Sequence, residues 1–129
     1  MVELMEITIE FLDEGLTVNM SVLSLGNNRY QLNEGLPLIE STTIYDIVEV
    51  EPLPDGSLSF RKVVKESGWQ TYSFTVSKMT TESDSLRAIL NKVEQNNGQW
   101  EQILGGFLFI YLPPNSAYDP TSDIETLSN

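Results

Sequence analysis

The sequence predicts an α+β fold: a curled antiparallel sheet, barrel-like in its N-terminal half, followed by a strand–helix–strand–strand unit. Three observations predict it. Apolar and polar residues alternate in short runs up to residue 78, separated by Gly, Pro and Asn turns. Between 83 and 97 the period changes to that of a helix. Most connections between strands are too short for the crossover that a parallel pair needs. At 129 residues and 40% hydrophobic, the chain is expected to form a single domain, 1–129, with its own core.

Each element has a local reason. Met5, Ile7, Ile9 and Phe11 alternate with Glu6, Thr8 and Glu10, which is a half-buried strand. Gly15 turns the chain into a second strand, Leu16–Leu25, with Leu16, Val18, Met20 and Val22 on one face. Gly26-Asn27-Asn28 is a turn into Arg29–Leu32, and 33–43 is a loop broken by Gly35 and Pro37. Tyr45–Val50 is a strand stopped by Pro52 and Pro54. Pro54-Asp55-Gly56 turns it back into Leu58–Val64, where Val63-Val64 breaks the alternation and predicts a bulge. Trp69–Lys78 is the longest strand, with Tyr72, Phe74 and Val76 toward the core.

Thr81 or Ser83 caps the helix, Glu82 and Asp84 suit its positive end, and Gly98 is its left-handed C-cap. Its stripe of Leu86, Ile89, Leu90 and Val93 is expected to pack on Tyr72, Phe74, Val76, Phe107 and Phe109. Trp100–Leu104 and Phe107–Leu112 form a hairpin about Gly105-Gly106, and Ser122–Leu127 is a short terminal helix.

Charge is the strongest functional signal. The net charge is −12, and residues 1–60 carry eleven acids against Arg29 alone. Residues 61–92 carry six bases against three acids, and 93–129 five acids and no base. Such a chain is a poor partner for nucleic acid, whose binding begins by neutralising phosphates. Solubility is the plain reading of the acidity. The sharper one is a docking face for a basic protein. The N-terminal stretch is acidic where a signal peptide is basic, and no apolar run reaches membrane length, so a cytoplasmic protein is expected.

Chemistry is sparse. The chain has no Cys and no His, which removes the thiolate nucleophile, the zinc–thiolate site and the commonest general base. Asp55-Gly56 lacks the ligand pattern of a calcium loop, and Gly105-Gly106 lacks the Lys-Ser/Thr of a phosphate loop. Glu49 and Glu51 share a strand face, as do Glu6 and Glu10. Paired carboxylates can serve as acid and base, but a solvated strand face is the plainer reading. No enzyme, metal or cofactor is expected. Trp69 and Trp100 are core candidates first and interface anchors second.

The run Arg29-Tyr30-Gln31-Leu32, then Tyr45-Asp46-Ile47-Val48 through Pro52, Asp55-Gly56, Val63-Val64 with Ser67-Gly68, and Thr71-Tyr72 resembles an uncharacterised bacterial family, domain-of-unknown-function family 4265. Leu112-Pro113-Pro114 is similar to that family's closing segment. The resemblance spans residues 29–119 and implies the fold; the family has no assigned activity to carry over.

Two functional classes remain. One is a non-enzymatic binding protein of the immunity or antitoxin type, covering the active site of a basic nuclease toxin with Glu6, Glu10, Glu49, Glu51 and Asp55, and with Tyr45 or Trp69 as apolar anchor. The other is a small-molecule sensor or enzyme that uses Asp/Glu, Tyr and Arg, with a pocket drawn from Arg29, Tyr30, Tyr45 and Tyr72.

Overall fold

A computed structural model describes residues 3–127. The chain divides into two compact units, Met1–Gly68 and Trp69–Asn129.

The first unit is a closed barrel of five strands: β1 (Leu4–Phe11), β2 (Leu16–Gly26), β3 (Arg29–Leu32), β4 (Ile47–Pro52) and β5 (Leu58–Lys65). Successive strands pair antiparallel. The closing pair, β1 with β5, is parallel, which the connection-length argument did not reach because these strands are not consecutive. Ile9, Phe11, Met20, Val22, Leu32, Val48 and Val50 fill the barrel, and Leu36 and Ile39 of the 33–46 loop are buried with them. Phe60 stacks on Phe11 at 5.0 Å between ring centroids. The expected bulge is present: Ile47 pairs with Lys65 and Val48 with Val63, leaving Val64 over. A second one leaves Arg61 over between Lys62 and Phe60.

Both ends of β4 differ from the sequence reading. Pro52 is the last residue of β4 rather than its stop. Tyr45 precedes the strand, at a φ of +67°, in a turn where its N–H donates to the Leu32 carbonyl at 3.0 Å.

The second unit is a three-stranded sheet of order β6–β8–β7, from β6 (Gln70–Thr75), β7 (Gln99–Ile103) and β8 (Phe107–Leu112). Three helices accompany it: α1 (Lys78–Thr81), α2 (Asp84–Gln95) and α3 (Thr121–Leu127). The expected long strand therefore ends at Thr75. Ser77 accepts a hydrogen bond from the Thr80 N–H and starts α1, which has no apolar stripe to announce it. Ser83 caps α2 by accepting from the Leu86 N–H. Leu86, Ile89, Leu90 and Val93 are buried with Val76, Leu108, Ile110, Leu112 and Ile124, and Tyr72 and Phe74 border them. Phe107 and Phe109 are not in this cluster. They alternate with Leu108 and Ile110 and so point to the other face of β8, and Phe107 is 44% exposed. Tyr118 donates to Asp123 at 2.9 Å beneath Lys92, joining α3 to α2. Burial first, and then Asp123, pushes its phenol above the ordinary range.

The end of α2 corrects the role of Gly98. Asn97 takes the left-handed position, at a φ of +63°. Gly98 N–H bonds to the Val93 carbonyl and Asn97 N–H to that of Glu94, the paired bonds of a Schellman motif. Gly98 is needed for close approach instead. A Cβ there would lie 2.7 Å from Leu112 Cδ2 and 2.8 Å from both the Tyr111 carbonyl and Val93 Cγ1. Gly98→Ala is expected to destabilise this unit by about 1–3 kcal/mol through overpacking, read as a lowered urea midpoint. An unchanged midpoint would mean that β8 yields freely.

Candidate functional site

The sequence-predicted acids are not equivalent. Glu49 on β4 lies 3.6 Å from Arg29 on β3 and 4.0 Å from Arg61 on β5, and Arg61 lies 4.0 Å from Glu51. These partly exposed pairs stabilise by at most about 1 kcal/mol each. Their effect is to balance charge: Glu49 and Glu51 belong to an alternating ladder, not to a bare acidic patch. A shallow dimple of about 170 Å³, lined by Asn27, Asn28, Glu49 and Arg61 among others, adjoins the ladder. Asp55 sits in the β4–β5 turn, where the hydroxyl and N–H of Ser57 hold its carboxyl below the ordinary range. Glu6 is exposed on β1 opposite Ser21. Trp69 is half-buried and belongs to the second unit.

Barrel closure makes one new grouping. Ser59 pairs with Glu10 on one side and with Glu51 on the other, so the three residues form a row across β1, β5 and β4. Adjacent strands lie about 4.8 Å apart, which places the Glu10 and Glu51 backbones about 10 Å from each other.

Beside that row is a cleft of about 410 Å³ that the sequence reading missed. Phe11 and Phe60 line it with their stacked rings. The single turn of 3-10 helix after β1 adds Leu12, Asp13 and Glu14, and the 33–46 loop adds Glu40 and Ser41. Ser59 completes the lining, and no Lys or Arg takes part. Leu12 is 70% exposed, an apolar group held out at the mouth.

Glu14 builds this cleft. Its carboxylate accepts from the Glu40 N–H at 2.7 Å, from the Ser41 N–H at 3.3 Å and from the Ser41 hydroxyl. Partial burial raises its pKa, but the three hydrogen bonds together outweigh that, and the carboxyl titrates below its ordinary 4.5. A depressed carboxyl contributes stability that is present above the unfolded value and lost as pH falls through the folded one. The Glu40 and Ser41 amides are therefore expected to exchange faster with solvent once pH drops below 4.5, beyond the intrinsic pH effect. Glu14→Gln should show fast exchange at every pH. Equal protection in the two proteins would remove Glu14 as the tie.

Other chemistry is not assembled. Ser59-Phe60-Arg61-Lys62 has the S-x-x-K spacing of serine–lysine acyl enzymes, yet among the described residues no hydrogen bond joins Ser59 to Lys62, which is exposed. No group of three or more metal-ligating side chains is present among the described residues. Neither cleft is lined by Arg29, Tyr30, Tyr45 or Tyr72, the residues the sensor reading requires. No helix among the described residues is long and apolar enough to cross a membrane.

In the sequence, Asp13, Glu14 and Glu40 count only toward the total charge. The pair Asp13-Glu14 beside an apolar Leu12 is a signal that sequence carries. That Glu40 joins them, from 26 residues away, is not.

No family model matches the chain, and no curated protein does. A crystal structure of a hypothetical protein from Neisseria gonorrhoeae is similar over 96% of this chain and 84% of that one, with a TM-score of 0.63 and 18% identity. At that identity the likeness shows the fold alone.

Proposed function

We propose that this protein works by binding another protein, docking a basic segment against its acidic barrel. In its most specific form the role is that of an immunity protein or antitoxin, covering the active site of a basic nuclease toxin without breaking a bond in either partner. The observation that carries this reading is the cleft: three carboxylates and an aromatic pair, with no base in the lining, on a closed barrel. Acids fixed on a 3-10 turn and a tied loop are ordered before binding, so little entropy is lost on contact. Opposite charge also speeds encounter. The resemblance to family 4265 belongs with this proposal as a matter of strand and turn pattern, and it adds no activity.

The test is charge reversal at the cleft. Asp13→Lys with Glu40→Lys is expected to weaken capture of a basic partner from the source cells by at least about tenfold. Glu49→Lys with Glu51→Lys, acids already balanced by arginines, should matter less. Association should also slow as salt rises to physiological strength, where screening acts over about 8 Å. Undiminished binding by the cleft double variant would overturn the reading, as would recovery of a small neutral ligand in place of a basic protein.

A further inference from the structure

We infer that the barrel cleft is an arginine receptor: it takes the guanidinium of an arginine presented on an extended segment of the partner protein. This rests on the docking reading above and names its occupant. Ser59 is 7% exposed and lines the cleft, yet its hydroxyl makes no hydrogen bond among the described residues. The hydroxyl is not sealed from solvent, so it stays free to donate to or accept from a ligand's polar atom in the cleft. The neighbours fix what that atom is. Both oxygens of Glu14 are taken by the 40–41 loop, which leaves the carboxylates of Asp13 and Glu40 as the cleft's acceptors. Acceptors in one cleft with an aromatic pair suit a planar group with many donors. Guanidinium is such a group: it carries five N–H donors, stacks on aromatic faces, and is more weakly hydrated than an ammonium. Phe60, half-buried and stacked on Phe11, supplies the ring. The cleft volume of about 410 Å³ exceeds one side chain, so residues flanking the arginine enter as well, and Leu12 at the mouth offers them an apolar contact. Glu10 and Glu51, on either side of Ser59 in the strand register, extend the negative field along the approach.

The test uses two capped peptides, Leu-Arg-Leu-Arg-Leu and Leu-Lys-Leu-Lys-Leu, titrated into the isotopically labelled full chain and followed by amide chemical shifts. The arginine peptide is expected to bind at least about threefold tighter than the lysine one, because only guanidinium combines bidentate and stacking contacts. Its shifts should centre on Leu12, Asp13, Ser41, Ser59 and Phe60. Ser59→Ala should weaken it about threefold while leaving the fold unharmed, since the hydroxyl lost has no partner in the free protein. Asp13→Asn with Glu40→Gln should weaken it at least about tenfold. Equal binding of the two peptides overturns the arginine assignment, as do shifts spread over Glu6, Glu49 and the rest of the barrel; either leaves the docking of basic segments standing. Failure of both peptides to bind at millimolar concentration overturns both readings.

Discussion

Asp46→Ala is expected to lower the stability of the barrel unit by about 2–4 kcal/mol, a large effect for a residue that reads as one more surface acid. Asp46 is 4% exposed. One carboxylate oxygen accepts from the Thr43 N–H at 2.8 Å, and the other accepts from the Ser67 N–H at 2.8 Å. Ser67 in turn donates its hydroxyl to the Ile44 carbonyl at 2.7 Å. The carboxylate thus ties the turn before β4 to the corner after β5, across 21 residues of chain. Alanine would leave two half-buried N–H groups without their acceptor, and bonds to a charged acceptor are worth about 1.5–3 kcal/mol each. Solvent reaches part of the vacated site, which keeps the total below the simple sum. Asn at this position retains one acceptor oxygen and should lose about half as much. Both tryptophans lie in the other unit, so the measurement is amide hydrogen exchange of the β4 and β5 amides rather than fluorescence. Unchanged protection in the alanine variant would show that water replaces the carboxylate without loss.

Most of the fold is legible because it is local. The alternation in Met5–Phe11 fixes which side of β1 faces inward, and Ile9 and Phe11 are indeed in the core. The four-residue stripe of α2 is buried in full. What is not legible depends on distant partners. β1 and β5 meet in parallel across the whole barrel, and no run of residues in either strand says so. Asn97 takes the left-handed position expected of Gly98 because the αL position admits Asn, while the approach of β8 excludes a side chain at the next residue.

The site is less legible than the fold for the same reason. A count of eleven acids in sixty residues treats them alike. In the folded chain Asp46 and Glu14 hold loops, and Glu49 and Glu51 meet arginines, while Glu6 lies on an open strand face. Only Asp13 and Glu40 remain as cleft acceptors, and they come from separate segments. Charge composition therefore indicates the sign of a partner, and hydrogen bonding decides which acids can meet it.

Leu90→Ala is expected to destabilise the second unit by about 2–5 kcal/mol, the range for a buried leucine replaced in a packed core. Leu90 is 8% exposed and sits on the α2 stripe between Leu86 and Val93. The atoms removed face a cluster supplied by both the helix and β8, where Leu108, Ile110 and Leu112 are each at most 1% exposed. Helix α2 is closed at both ends, by Ser83 and by the Schellman bonds at Asn97 and Gly98, which limits how far it can slide inward to fill the cavity. The upper half of the range is therefore favoured over the lower. Because the chain divides into two units, a whole-chain unfolding signal need not follow a single transition. Trp69 and Trp100 both belong to the second unit, so the urea midpoint of tryptophan fluorescence reports it directly. Arg87, exposed on the same helix, is the control: Arg87→Ala should stay within about 0.5 kcal/mol. A loss as small as that for Leu90→Ala would show that the stripe is not the face that holds this unit together.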